Sequence, residues 1–127
     1  MFPTLDLRAA ATDHARGLIH GQGARAQVAH SVSTYARMFA GCGIAWTQAC
    51  ERAQAYADVI AALSPRWMAE IQGIAEGSGQ PLEAILALNC RTEILPPTFF
   101  TDEPQLAHAA LAANRAAGLP DWLEQAA

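Results

Sequence analysis

Cys90 stands between Asn89 and Arg91. A neighbouring guanidinium favours the thiolate, which is the reactive form of cysteine. Such a thiol can attack an acyl carbonyl. The same residue also fits a small buried side chain at a helix end, where free cysteine is commonly found, and no histidine lies close in sequence to act as its base. Arg91 and Glu93 flank Thr92. On an extended chain they would share one face, with Thr92 on the other. A charged pair near a core then either satisfies itself or contacts a substrate. Arg16 and His20 are polar groups set among small and apolar neighbours.

Metal and nucleotide chemistry find less support. His14, His20, His30 and His108 are not spaced to place two ligands on one helical face, and Cys42, Cys50 and Cys90 form no Cys-x-x-Cys pair. Gly21-Gln22-Gly23 resembles a dinucleotide fingerprint only superficially, because that motif works inside a βαβ unit. Gly73, Gly77 and Gly79 read as a helix end rather than a phosphate cradle.

The elements that must position these residues are mostly helical. Residues 2–8 alternate loosely and carry Pro3, which predicts a short edge strand. From about Asp13 the apolar residues Leu18, Val28, Val32, Tyr35 and Phe39 recur at helical spacing, which predicts one long helix ending at Gly41-Cys42-Gly43. Gly17, Gly21 and Gly23 each cost that helix up to about 1 kcal/mol relative to alanine. Close packing of another element explains them better than propensity does. A second helix runs through Trp46, Cys50, Ala53, Ala57 and Ile60 to Leu63. Ser64-Pro65 starts a third, with Met68, Ile71 and Ala75 on one face, and Gly77-Ser78-Gly79 stops it. Pro81 opens a fourth. Pro96-Pro97 breaks the chain, and an alanine-rich helix follows from Asp102-Glu103-Pro104 to Gly118.

Composition narrows the classes. With 127 residues, 52% hydrophobic and 16% charged, the chain suits one domain or part of one and is too apolar for a disordered segment. A net charge of −4, with eight arginines scattered singly, argues against nucleic-acid and anionic-membrane surfaces. No apolar run reaches the roughly 18 residues of a membrane span, and no signal peptide is evident. A cytoplasmic chain with reduced thiols is expected. The lone strand and the apolar tail (Phe99, Phe100, Leu106, Leu111, Leu119, Trp122, Leu123) both call for a second polypeptide.

Three segments together are specific: Arg16-Gly17-Leu18-Ile19-His20-Gly21, then Met68 to Gly79 with Glu70-Ile71-x-Gly-Ile-Ala-Glu76-Gly, then Leu86 to Ile94 with Asn89-Cys90-Arg91-Thr92-Glu93. In order and spacing they resemble the amino-terminal part of the acyl-coenzyme A:6-aminopenicillanic-acid acyltransferase (isopenicillin-N acyltransferase-like) family, over residues 2 to 95.

The resemblance implies a self-processing cysteine N-terminal-nucleophile hydrolase. The fold it implies is α+β: a mostly helical α chain of a four-layer αββα sandwich completed by a separate β chain. A precursor cleaves itself before a cysteine, whose sulfur then attacks an amide or thioester carbonyl while its α-amine acts as base. Residues 1–95 would be the amino-terminal part of that domain, and residues 96–127 a helical insert leading to a junction at Ala127. The nucleophile is then absent from this chain. Arg91, Glu93 and Asn89, with Phe99 and Phe100, would support the site or line its pocket, while Arg16, His20, Glu70 and Glu76 would hold the framework. Expected partners are the β chain and a small N-acyl amide or acyl thioester, with further αβ units in a higher oligomer and with no cofactor, metal, nucleic acid or membrane. The insert departs from the family pattern, as do a junction after alanine instead of glycine and Arg8-Ala9-Ala10 after the first segment. Two other classes stay open: a non-enzymatic helical interaction subunit, and a thiol enzyme centred on Cys90.

Overall fold

The computed structural model describes residues 4–95. Six helices follow one another: α1 (Asp13–Gly23), α2 (Arg25–Gly41), α3 (Trp46–Leu63), α4 (Pro65–Ser78), α5 (Leu82–Asn89) and the single turn α6 (Arg91–Ile94). Their ends follow local chemistry. Thr12 Oγ1 accepts the Ala15 N–H at 3.0 Å to cap α1, and Ser64 Oγ accepts the Trp67 N–H at 3.3 Å to cap α4 ahead of Pro65. Gln48 reaches back to the Ala45 N–H at 3.1 Å at the start of α3. Two helices stop in Schellman motifs built on left-handed glycines. Gly43 (φ +77°) ends α2, with Ile44 N–H donating to Phe39 O at 2.9 Å. Gly79 (φ +75°) ends α4, with Gln80 N–H donating to Ala75 O at 3.1 Å. In the first, the side chains of Ile44 and Phe39 are both buried, which adds the apolar contact typical of the motif.

α1 lies along α4, and glycine dictates how closely. A Cβ on Gly17 would stand 2.9 Å from the Gly73 Cα and closer still to the Glu70 carbonyl oxygen. A Cβ on Gly73 would collide with the His14 carbonyl, and Gly21 and Gly77 face Ile74, Ser78 and Leu18 backbone in the same way. Two Gly-x-x-x-Gly ridges, 17/21 and 73/77, therefore interlock between parallel helices at backbone contact, the geometry small residues permit. Close packing is thus what Gly17 and Gly21 are for. Gly73 and Gly77 correct the reading of a helix end: they belong to this seam, and Gly79 alone makes the terminus.

The remaining helices enclose the core. α3 packs on α5 and α4, and α2 touches α3, α4 and α5. In α5 the four consecutive residues Ala84, Ile85, Leu86 and Ala87 are buried, so this short helix is enclosed on most sides, as its apolar sequence requires. Phe39 is fully buried, with its ring centroid 6.0 Å from that of Trp46.

Three expectations change. The predicted edge strand is absent from Thr4–Ala10, where no partner strand exists among the described residues. Asp6 instead accepts the Arg8 backbone N–H at 3.0 Å and both ends of its guanidinium at 2.9 Å, which turns the chain locally. The single long helix from Asp13 is two, bent at Ala24 (φ −113°, ψ 26°). Arg91-Thr92-Glu93 is a helical turn, not a strand, because α5 stops at Cys90 and Ile94 and Leu95 turn back into the core. The mostly helical character holds. The predicted insert at 96–127 lies outside the described residues.

Candidate functional site

The three segments of the family resemblance meet. His20 on α1, Trp67, Glu70, Ile71 and Ile74 on α4, and Asn89 at the end of α5 line one cleft of about 380 Å³. Trp67 and Glu70 also border a second cleft of about 620 Å³, with Asp13, Arg16, Leu63 and Arg66 on its other sides. Trp67, 67% exposed, is the ridge between them. Val59 and Leu63 on α3 are likewise exposed, and Leu63 borders the larger cleft beside Trp67.

Charges pin α1 to α4 beside the glycine seam. Arg16 Nη1 donates to Asp13 at 2.9 Å and to Glu70 at 3.3 Å, and Arg66 Nε donates to Asp13 at 3.1 Å. His14 Nε2 stands 2.9 Å from the Glu76 carboxylate. The hydrogen bond from Arg66, helped by Arg16 and opposed by partial desolvation, holds the Asp13 carboxyl below the usual carboxylate range. A depressed folded-state pKa stabilises the fold at pH values above the unfolded carboxyl's pKa, and that contribution disappears as pH falls through the folded value. An acid titration of stability should therefore show an extra loss below the ordinary aspartate range, and Asp13→Asn should remove it, as read by denaturant midpoints at successive pH values.

Of the residues singled out in the sequence, Arg16 and Glu70 pair with each other, His20 and Asn89 share the smaller cleft, and Glu76 holds His14. The Asn89 amide donates to Ile85 O at 2.8 Å. The expected buried pair of Arg91 and Glu93 is not formed. Both are exposed: Arg91 Nη1 donates to Leu88 O at 2.7 Å and its guanidinium lies 5.5 Å from the Tyr35 ring centroid, while Glu93 accepts from Thr92 Oγ1 at 2.9 Å. On a helical turn the two side chains diverge, so each finds a local partner. Phe99, Phe100 and Ala127 lie outside the described residues. Sequence reasoning missed Asp13, Arg66 and Trp67. Asp13 was legible as an acid following an N-cap threonine, whereas the other two owe their place to the crossing of α1 and α4.

None of the chain's three thiols is activated. Burial pushes the pKa of Cys42, Cys50 and Cys90 up, and Glu83 adds to this at Cys50 as Glu93 does at Cys90. The nearby Arg91 does not make Cys90 a thiolate: its guanidinium is directed to Leu88 O and the Tyr35 ring, and burial of the thiol dominates. Among the described residues no group of three or more His, Cys, Asp or Glu side chains could hold a metal ion, and no helix is long and apolar enough to cross a membrane. No family model, curated protein or solved structure matches the chain.

Proposed function

We propose that this chain is the α chain of a self-cleaved amidohydrolase or acyltransferase whose nucleophile is an amino-terminal cysteine on a β chain from the same precursor. The observation that carries the reading is the convergence of the three resemblance segments, far apart in sequence, on the cleft lined by His20, Glu70 and Asn89. The raised pKa of all three thiols agrees with a nucleophile carried elsewhere. In this scheme the β-chain sulfur attacks the acyl carbon of a small N-acyl amide or acyl thioester. The amine or thiol leaves with a proton delivered by the α-ammonium, and water or another amine then releases the acyl group. This chain supplies a helical layer of the αββα sandwich in a cytoplasmic αβ unit or a higher assembly of such units. Asn89, Arg91 and Glu93 support the site from its edge.

Intact-mass analysis and amino-terminal sequencing of the natural gene product test this. A second chain beginning with cysteine is expected, and replacing that cysteine by alanine should leave an uncut, inactive precursor, whereas Cys90→Ser should leave cleavage intact. An uncleaved product, or activity that depends on Cys90 alone, would overturn the assignment. The exposed apolar side chains of Val59, Leu63 and Trp67 favour one other reading, a non-enzymatic helical interaction subunit. That reading predicts no cysteine-led companion chain.

A further inference from the structure

The bend between α1 and α2 falls on Ala24, directly after Gly23, with no proline to force it. Helical hydrogen bonds persist on both sides of it: the Ala24 N–H donates to His20 O, and the Val28 N–H to Ala24 O, each at 2.9 Å. A change of dihedral angles around this residue thus separates the bent form from one continuous helix, Asp13 to Gly41, which the apolar periodicity also describes. α1 packs mainly on α4 and meets α2 far less. Leu5 sits against Gly23, where a Cβ would strike its side chain, so Leu5 braces the bend. Straightening at Ala24 lifts α1 from α4 and bares two glycine ridges that fit each other.

We propose that Ala24 is a hinge through which two copies of this chain exchange α1, so that the 17/21 ridge of each copy seats on the 73/77 ridge of the other. The exchanged pair re-forms the same seam and the Arg16–Glu70 and Asp13–Arg66 ion pairs between copies, while each copy gains helix continuity across the bend. Such exchange of an identical element is a low-cost route to dimers. It does not rest on the proposed chemistry.

The test uses the full chain together with any chain that co-purifies with it. Native mass spectrometry should count two copies in a fraction that grows with concentration. Gly23→Ala, whose Cβ would strike Leu5 and unseat its brace on the bend, should raise that fraction several-fold. Tagged Arg16→Glu co-expressed with untagged Glu70→Arg restores opposite charges only between copies. It should capture its companion several-fold better than tagged Arg16→Glu captures untagged Arg16→Glu. One copy at every concentration for both the natural chain and Gly23→Ala, or capture indifferent to charge pairing, overturns the proposal.

Discussion

Gly17→Ala is expected to destabilise the fold by about 3 kcal/mol, which lowers the melting temperature by roughly 10 °C. The added Cβ has nowhere to go. It would meet the Glu70 carbonyl oxygen and stand 2.9 Å from the Gly73 Cα and the Ile74 nitrogen, all of them backbone atoms. A side chain can swing aside, but an α4 backbone held by its own hydrogen bonds moves only if the whole helix shifts away. Such a shift would also stretch Arg16 from Glu70 and Arg66 from Asp13. The cost should greatly exceed that of the same change at Gly43, where a Cβ meets nothing within 4 Å and only the positive φ of +77° opposes it. Thermal melts of the two variants side by side check this. Equal, small losses at both positions would refute backbone contact between α1 and α4.

Phe39→Ala should cost about 3–5 kcal/mol, the largest effect expected of a single core truncation. Its ring is fully buried at the end of α2, against Trp46 at a 6.0 Å centroid distance and near Ile44 in the same Schellman turn. Removing the ring leaves a cavity and also takes away the apolar contact that closes the turn into α3. Denaturant unfolding monitored by far-ultraviolet circular dichroism should show an earlier midpoint. Leu88→Ala, at a half-buried position, should lose distinctly less.

Both predictions concern residues whose type was plain in the sequence and whose consequences were not. The ends of α2 and α3, both ends of α4 and the start of α5 were legible, because Gly43, Ser64-Pro65, Gly79 and Pro81 act on their own neighbours through left-handed geometry, caps and a fixed φ. The bend at Ala24 was not legible, since alanine favours helix and Gly23 before it reads as a packing residue inside one long helix. The edge strand expected at residues 2–8 failed over Thr4–Ala10 for the opposite reason: alternation describes a strand only where a partner exists, and Asp6 and Arg8 satisfy each other instead. Arg91 and Glu93 were expected on one face because they were read as extended. As a helical turn they part, and the buried ion pair becomes two exposed local contacts.

For the candidate site, the family resemblance placed His20, Glu70 and Asn89 in three separate segments, and folding brings them to one cleft. The sequence by itself determined the helical character, the caps at Ser64-Pro65 and Gly79, and the need for close packing at 17 and 21, whereas 73 and 77 read there as a helix end. Tertiary structure decided which ridge meets which, where the chain bends and which charges pair. Caps and propensities act within a turn or two of chain. The seam joins residues more than fifty positions apart, whose meeting depends on all the helices between them.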